Sequence, residues 1–130
     1  NTIPLLNVGN KGISDMTGIE DFTALTHLEC QNNQIASLDV SQNTALTNLN
    51  CKANNLTGID VSQNLSLIML RVMGNNLTTL DVSSNTGLTH LYCAGNQLTS
   101  LDVSNNTALT YLHIGGDHYL GTTNLVRILL

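Results

Sequence analysis

Residues 46–66 read LTNLNCKANNLTGIDVSQNLS, and the 21 residues after them, LIMLRVMGNNLTTLDVSSNTG (67–87), repeat the same pattern. Worked outward, the register holds across most of the chain. Leu25, Leu46, Leu67, Leu88 and Leu109 are spaced by 21, as are Leu28, Leu49, Leu70, Leu91 and Leu112. Cys30, Cys51, Val72, Cys93 and Ile114 form the next column, followed by Asn33, Asn54, Asn75, Asn96 and Asp117. Leu38/Val40, Ile59/Val61, Leu80/Val82 and Leu101/Val103 close each unit. Self-similarity at a fixed period of this length is the signature of a stacked repeat architecture.

The physics follows from the spacing. In L-x-C the apolar residues alternate with a period of two, which predicts a short strand with one face inward. One unit has too few apolar groups to bury them alone, so units must stack into a parallel sheet backed by an aliphatic column. The interior has to be leucine, because aromatics are only 3% of the 130 residues while apolar residues are 42%. The Asn column fits a place where the chain turns off the strand, since an amide both donates and accepts.

This pattern resembles the bacterial leucine-rich repeats of the internalin family, in the internalin J-like branch, whose 21-residue repeats carry a cysteine in the strand. The resemblance covers residues 25 to about 119. It implies a solenoid with a curved parallel β-sheet on its concave face, turns or extended segments on its convex face, and little or no α-helix. It also implies a bacterial surface or secreted protein, adhesin-like, that binds a protein or glycoprotein. Residues 1–24 look like a first internalin-type repeat, its 22-residue unit running over 3–24, with Phe22 pointing inward. After Tyr119 the register fails. Leu125-x-x-Ile128-x-Leu130 reads as a further strand, so residues 120–130 are expected to be a shortened, irregular last turn of a chain cut from a longer protein.

The composition excludes several partners. The net charge is −5 and the basic residues are only Lys11, Lys52, Arg71 and Arg127, whereas nucleic-acid binding rests on clustered Lys and Arg. No apolar run approaches membrane-spanning length, so membrane insertion is not expected. The cysteines read as small buried fillers with raised pKa values. A Cys30–Cys51 disulfide is close enough on adjacent strands but torsionally awkward, and zinc lacks a histidine in that register. No cofactor and no resident metal is expected. Asp39, Asp60, Asp81 and Asp102 read as Asx-type turns, with calcium between turns as the alternative.

If packing fixes the scaffold, function belongs to the outward strand positions where the units differ. These columns read Leu5, His27, Asn48, Met69, His90, Tyr111, then Asn7, Glu29, Asn50, Arg71, Tyr92, His113, then Gly9, Gln31, Lys52, Met73, Ala94, Gly115. Tyr and Arg bury area at low entropic cost while carrying a polar group, and Met adapts its shape. The candidate ligand surface is therefore Met69, Arg71, Met73, His90, Tyr92, Tyr111 and His113. No catalytic residue is expected, because an open sheet encloses no water-poor pocket and no Ser has a His–Asp relay at readable spacing. The competing reading is a spacer or stalk repeat domain with no ligand of its own.

Overall fold

The computed structural model describes residues 2–115 and 127–129. The L-x-C segments form three-residue strands: β1 (Leu5–Asn7), β2 (His27–Glu29), β3 (Asn48–Asn50), β4 (Met69–Arg71), β5 (His90–Tyr92) and β7 (Tyr111–His113). They make one parallel six-stranded sheet in the order β1-β2-β3-β4-β5-β7. The register is uniform. Leu28 pairs with Leu49, Leu49 with Leu70, Leu70 with Leu91 and Leu91 with Leu112. β1 meets β2 one residue later, Leu6 against Leu28, as a 22-residue first unit requires. The only helical element among the described residues is a single 3-10 turn, Ile19–Asp21. The structure is thus the parallel solenoid that the repeat predicts.

Period two explains the burial. The central leucines of β2 to β5 are fully buried while their neighbours on either side are half-exposed. Behind the sheet, Leu25, Leu46, Leu67 and Leu88 are all 0% exposed, and so are Ile35, Leu56 and Leu77. Each such side chain contributes roughly 1.5–3 kcal/mol through removal from water. Phe22 packs half-buried against this column, together with Met16 and Ile13.

Two rows of asparagine tie the rungs together. In the first row, Asn54 donates from Nδ2 to the carbonyls of Cys30 and Cys51, one in each unit, and accepts from the Ile35 amide. Asn33, Asn75 and Asn96 repeat this arrangement. The second row lies on the far side of the coil. There Asn64 donates to the carbonyls of Val40 and Asn43, and Asn43, Asn85 and Asn106 make the equivalent pair of bonds in their own rungs. All four are buried, and their Oδ1 atoms have no protein partner. A third row is built from hydroxyls: Thr47 donates to Thr26, Thr89 to Ile68 and Thr110 to Thr89. Ile68 occupies one position of this row and supplies no hydroxyl.

The turns after β2, β3, β4 and β5 each need a left-handed residue. Asn32, Ala53, Gly74 and Gly95 fill that position with φ of 55°, 53°, 63° and 66°.

One expectation is corrected. The apolar pattern near the C-terminus predicts a further strand next to β7 after a shortened turn. A strand does form, β8 (Arg127–Leu129), but it pairs in parallel with β6 (Ser100–Asp102) on the opposite side, Leu101 against Ile128. Leu101 and Ile128 are 27 apart, where each earlier convex step takes 21; residues 116–126, where the shortened turn is expected, lie outside the described residues. An apolar pair with one spacer suits either side of the coil, and the pattern alone does not choose. Leu125 lies outside the described residues.

Candidate functional site

The outward column residues of β4, β5 and β7 come together on the concave face. Registration sets Met69 beside His90 and His90 beside Tyr111, with Arg71 beside Tyr92 and Tyr92 beside His113. The rings touch. The Tyr92 and Tyr111 centroids are 4.9 Å apart and tilted, His90 stacks on Tyr111 at 5.9 Å, and His113 meets Tyr92 edge-on at 6.3 Å. The Arg71 guanidinium carbon stands 5.2 Å from the Tyr92 ring centroid, a cation–π geometry. Tyr111 remains 47% exposed. Six of the seven predicted residues thus lie on paired strands, while Met73 sits half-buried two residues beyond β4.

The flank of this patch carries a residue that repeat comparison marks only as a local deviation. Ile68 replaces the threonine of the hydroxyl row and is 47% exposed, and Leu65 is 64% exposed. Ile68 directly precedes Met69 at the start of β4, whereas Leu65 follows Asn64 of the far-side row. The signal was available, since position 68 is Thr in the units before and after. Its meaning depends on the side on which the side chain emerges.

On the other half of the concave face the polar groups are engaged with each other. Asn50 donates to Glu29 Oε2 at 2.6 Å and accepts from the Lys52 amide, and Asn48 leans on the Met69 sulfur. Gln31 lies over Gly9 so closely that a Cβ there would stand 2.7 Å from its side-chain nitrogen.

The cysteines occupy the interior as expected. Cys30, Cys51 and Cys93 are free thiols at 0–1% exposure. Burial pushes Cys30 and Cys93 up to about 12, and Cys51 is raised by burial and by its neighbour Cys30. Across the coil, Asp39, Asp60, Asp81 and Asp102 each accept the backbone N–H of the serine two residues on. These serines, by hydroxyl and amide, hold the carboxyls below their usual range, although Asp60 and Asp102 push that of Asp81 the other way. For Asp39 the Ser41 amide is the larger influence. The clefts between turns are open and lined by these acids, as with Asp81, Asp102, Ser83 and Ser104. Among the described residues no group of three or more His, Cys, Asp or Glu is placed to hold a metal ion, and no helix is long and apolar enough to cross a membrane.

With this geometry the chain was compared with known proteins. It superposes on the functional domain of internalin J from Listeria monocytogenes, which includes a cysteine ladder, with a TM-score of 0.86 at 44% identity over 98% of the chain. These are internalin-like leucine-rich repeats. A curated internalin J from Listeria monocytogenes serotype 4b (strain F2365) is 52% identical over 42 residues, 32% of the chain. A second Listeria internalin, inlF, shares the fold, with a TM-score of 0.74 at 24% identity over 89% of the chain. No family model matches the sequence. The chain spans 31% of the internalin J structure, 38% of the inlF structure and 5% of the curated protein. Leucine-rich repeat domains of this kind are generally protein-binding modules.

Proposed function

We propose that this domain is the recognition module of a bacterial surface or secreted protein, adhesin-like, which grips a protein or glycoprotein on its concave sheet. The observation that carries this reading is the contiguous aromatic cluster, Tyr92, Tyr111, His90 and His113 with Arg71 laid over it, on solvent-facing strand positions. None of these side chains is needed to hold the coil, whose rungs are closed by leucine, asparagine and threonine. The remaining exterior is largely Thr, Ser, Asn and Asp repeated in register, as a spacer would have throughout. A spacer has no reason to gather two of the chain's three tyrosines on adjacent strands. Tyr and Arg are the side chains that most often anchor interfaces.

The test is the double variant Tyr92→Ala/Tyr111→Ala in pull-down from host-cell surface extract and on a glycan array. Binding is expected to fall by about tenfold or more, as loss of paired anchors does. The melting temperature should stay close to that of the parent. Full retention of binding moves the site off the concave sheet.

A further inference from the structure

The charges of this chain are sorted by face. Of the described acids only Glu29 stands on a concave strand, and it is occupied by the Asn50 amide. Asp39, Asp60, Asp81 and Asp102 lie in the convex turns, and Asp15 and Glu20 line a cleft with Asp39 on that same side. The concave strands instead carry Arg71, which stands opposite Asn50. Asn50 separates Arg71 from Glu29 by two strand spacings, roughly 10 Å. Among the described residues Arg71 has an aromatic ring beside it and no carboxylate in salt-bridge reach. A molecule of net charge −5 therefore presents positive charge where its rings are.

The surroundings of Arg71 narrow the chemistry further. Met69 and the adjacent Ile68, 47% exposed, continue the patch as apolar surface. Sugar hydroxyls need amide and carboxylate partners around an aromatic platform. Here the concave amides Asn48 and Asn50 are turned toward Met69 and Glu29. A protein segment that pairs an acidic side chain with aliphatic or aromatic neighbours matches both parts of the surface.

We infer that the concave ligand is an acidic protein segment, docked with a carboxylate on Arg71 and apolar side chains along Tyr92, Tyr111, Met69 and Ile68. This rests on the concave sheet being the binding face. Arg71 ranks as the specificity-determining residue, because a guanidinium braced by a ring face offers its planar fork to a carboxylate bidentately.

The experiment pans a random peptide display library on the domain and synthesises the recovered peptides as probes. The expected peptides are rich in Asp or Glu next to Leu, Phe or Tyr. Their affinity is expected to fall about tenfold in Arg71→Gln and to weaken with added salt, as a contact of this kind does. Arg71→Glu should select basic peptides instead. Both variants alter a half-exposed residue, and unchanged melting temperatures establish that they fold. Neutral or basic peptides that need Tyr92 and Tyr111 but ignore Arg71 overturn the acidic-segment inference and leave the binding face intact. Peptides indifferent to all three residues overturn both. Sialylated or sulfated glycans bound in an Arg71-dependent way on an array, with no acidic peptide recovered, overturn the assignment to a protein.

Discussion

Ala53 holds a backbone conformation that the two rungs after it give to glycine. At φ of 53° its Cβ crowds the following carbonyl, a conformation that costs an L-residue roughly 1–2 kcal/mol. Ala53→Gly is expected to stabilise the fold by about 1 kcal/mol, net of the extra freedom glycine has when unfolded; urea denaturation measures it. The same position shows what the sequence conceals at this scale. Asn32, Ala53, Gly74 and Gly95 share no side-chain chemistry, and the common requirement appears only in the dihedral angles. The asparagines were easier. The Asn33 to Asn96 column was expected to satisfy a turn, and it does. The second row, Asn43 to Asn106, stands equally clearly in register, but nothing in an N-T-A sequence reveals that its amides reach back across a rung.

At the scale of elements, the Asp-x-Ser turns resolve a conflict. Stacked aspartates repel, yet each is held by the serine that follows, and the serine wins: all four carboxyls are shifted below the usual aspartate value of 3.8. A carboxyl whose folded value is depressed stabilises the fold fully above its unfolded value and loses that stabilisation as pH falls through the lowered one. Melting temperature is expected to hold from neutrality to about pH 5 and to decline below about pH 4. Replacing Ser41, Ser62, Ser83 and Ser104 by Ala should flatten the acid decline; an unchanged slope would assign it to other carboxyls. The cysteine column behaves oppositely. Its raised thiols remain protonated at neutral pH, so iodoacetamide is expected to label Cys30, Cys51 and Cys93 only after unfolding, read by mass spectrometry. The concave strands were legible because period two inside period 21 has one solution. β8 was legible as a strand and not as to side, since Ile-x-Leu satisfies the lining of either face.

Over the whole molecule, stability comes from contacts between neighbouring rungs. Leu70→Ala, at the centre of the sheet, is expected to cost about 3 kcal/mol and lower the urea midpoint, because it removes packing from the rungs on both sides. The same substitution at half-buried Leu6, in the first strand, should cost less. The candidate site was read from the columns because strand registration turns a list of residues into neighbours. Contacts between rings followed from that registration. The cation–π contact and the sorting of charge by face needed the coordinates.

The exact pairing of Leu28, Leu49, Leu70 and Leu91 across successive strands has a genetic corollary. A segment whose top edge fits a copy of its own bottom edge can be duplicated or deleted in frame without rewriting the rest. Length is therefore cheap to alter in such a gene, and the gripping residues can be moved along the array by unequal recombination while their immediate setting travels with them.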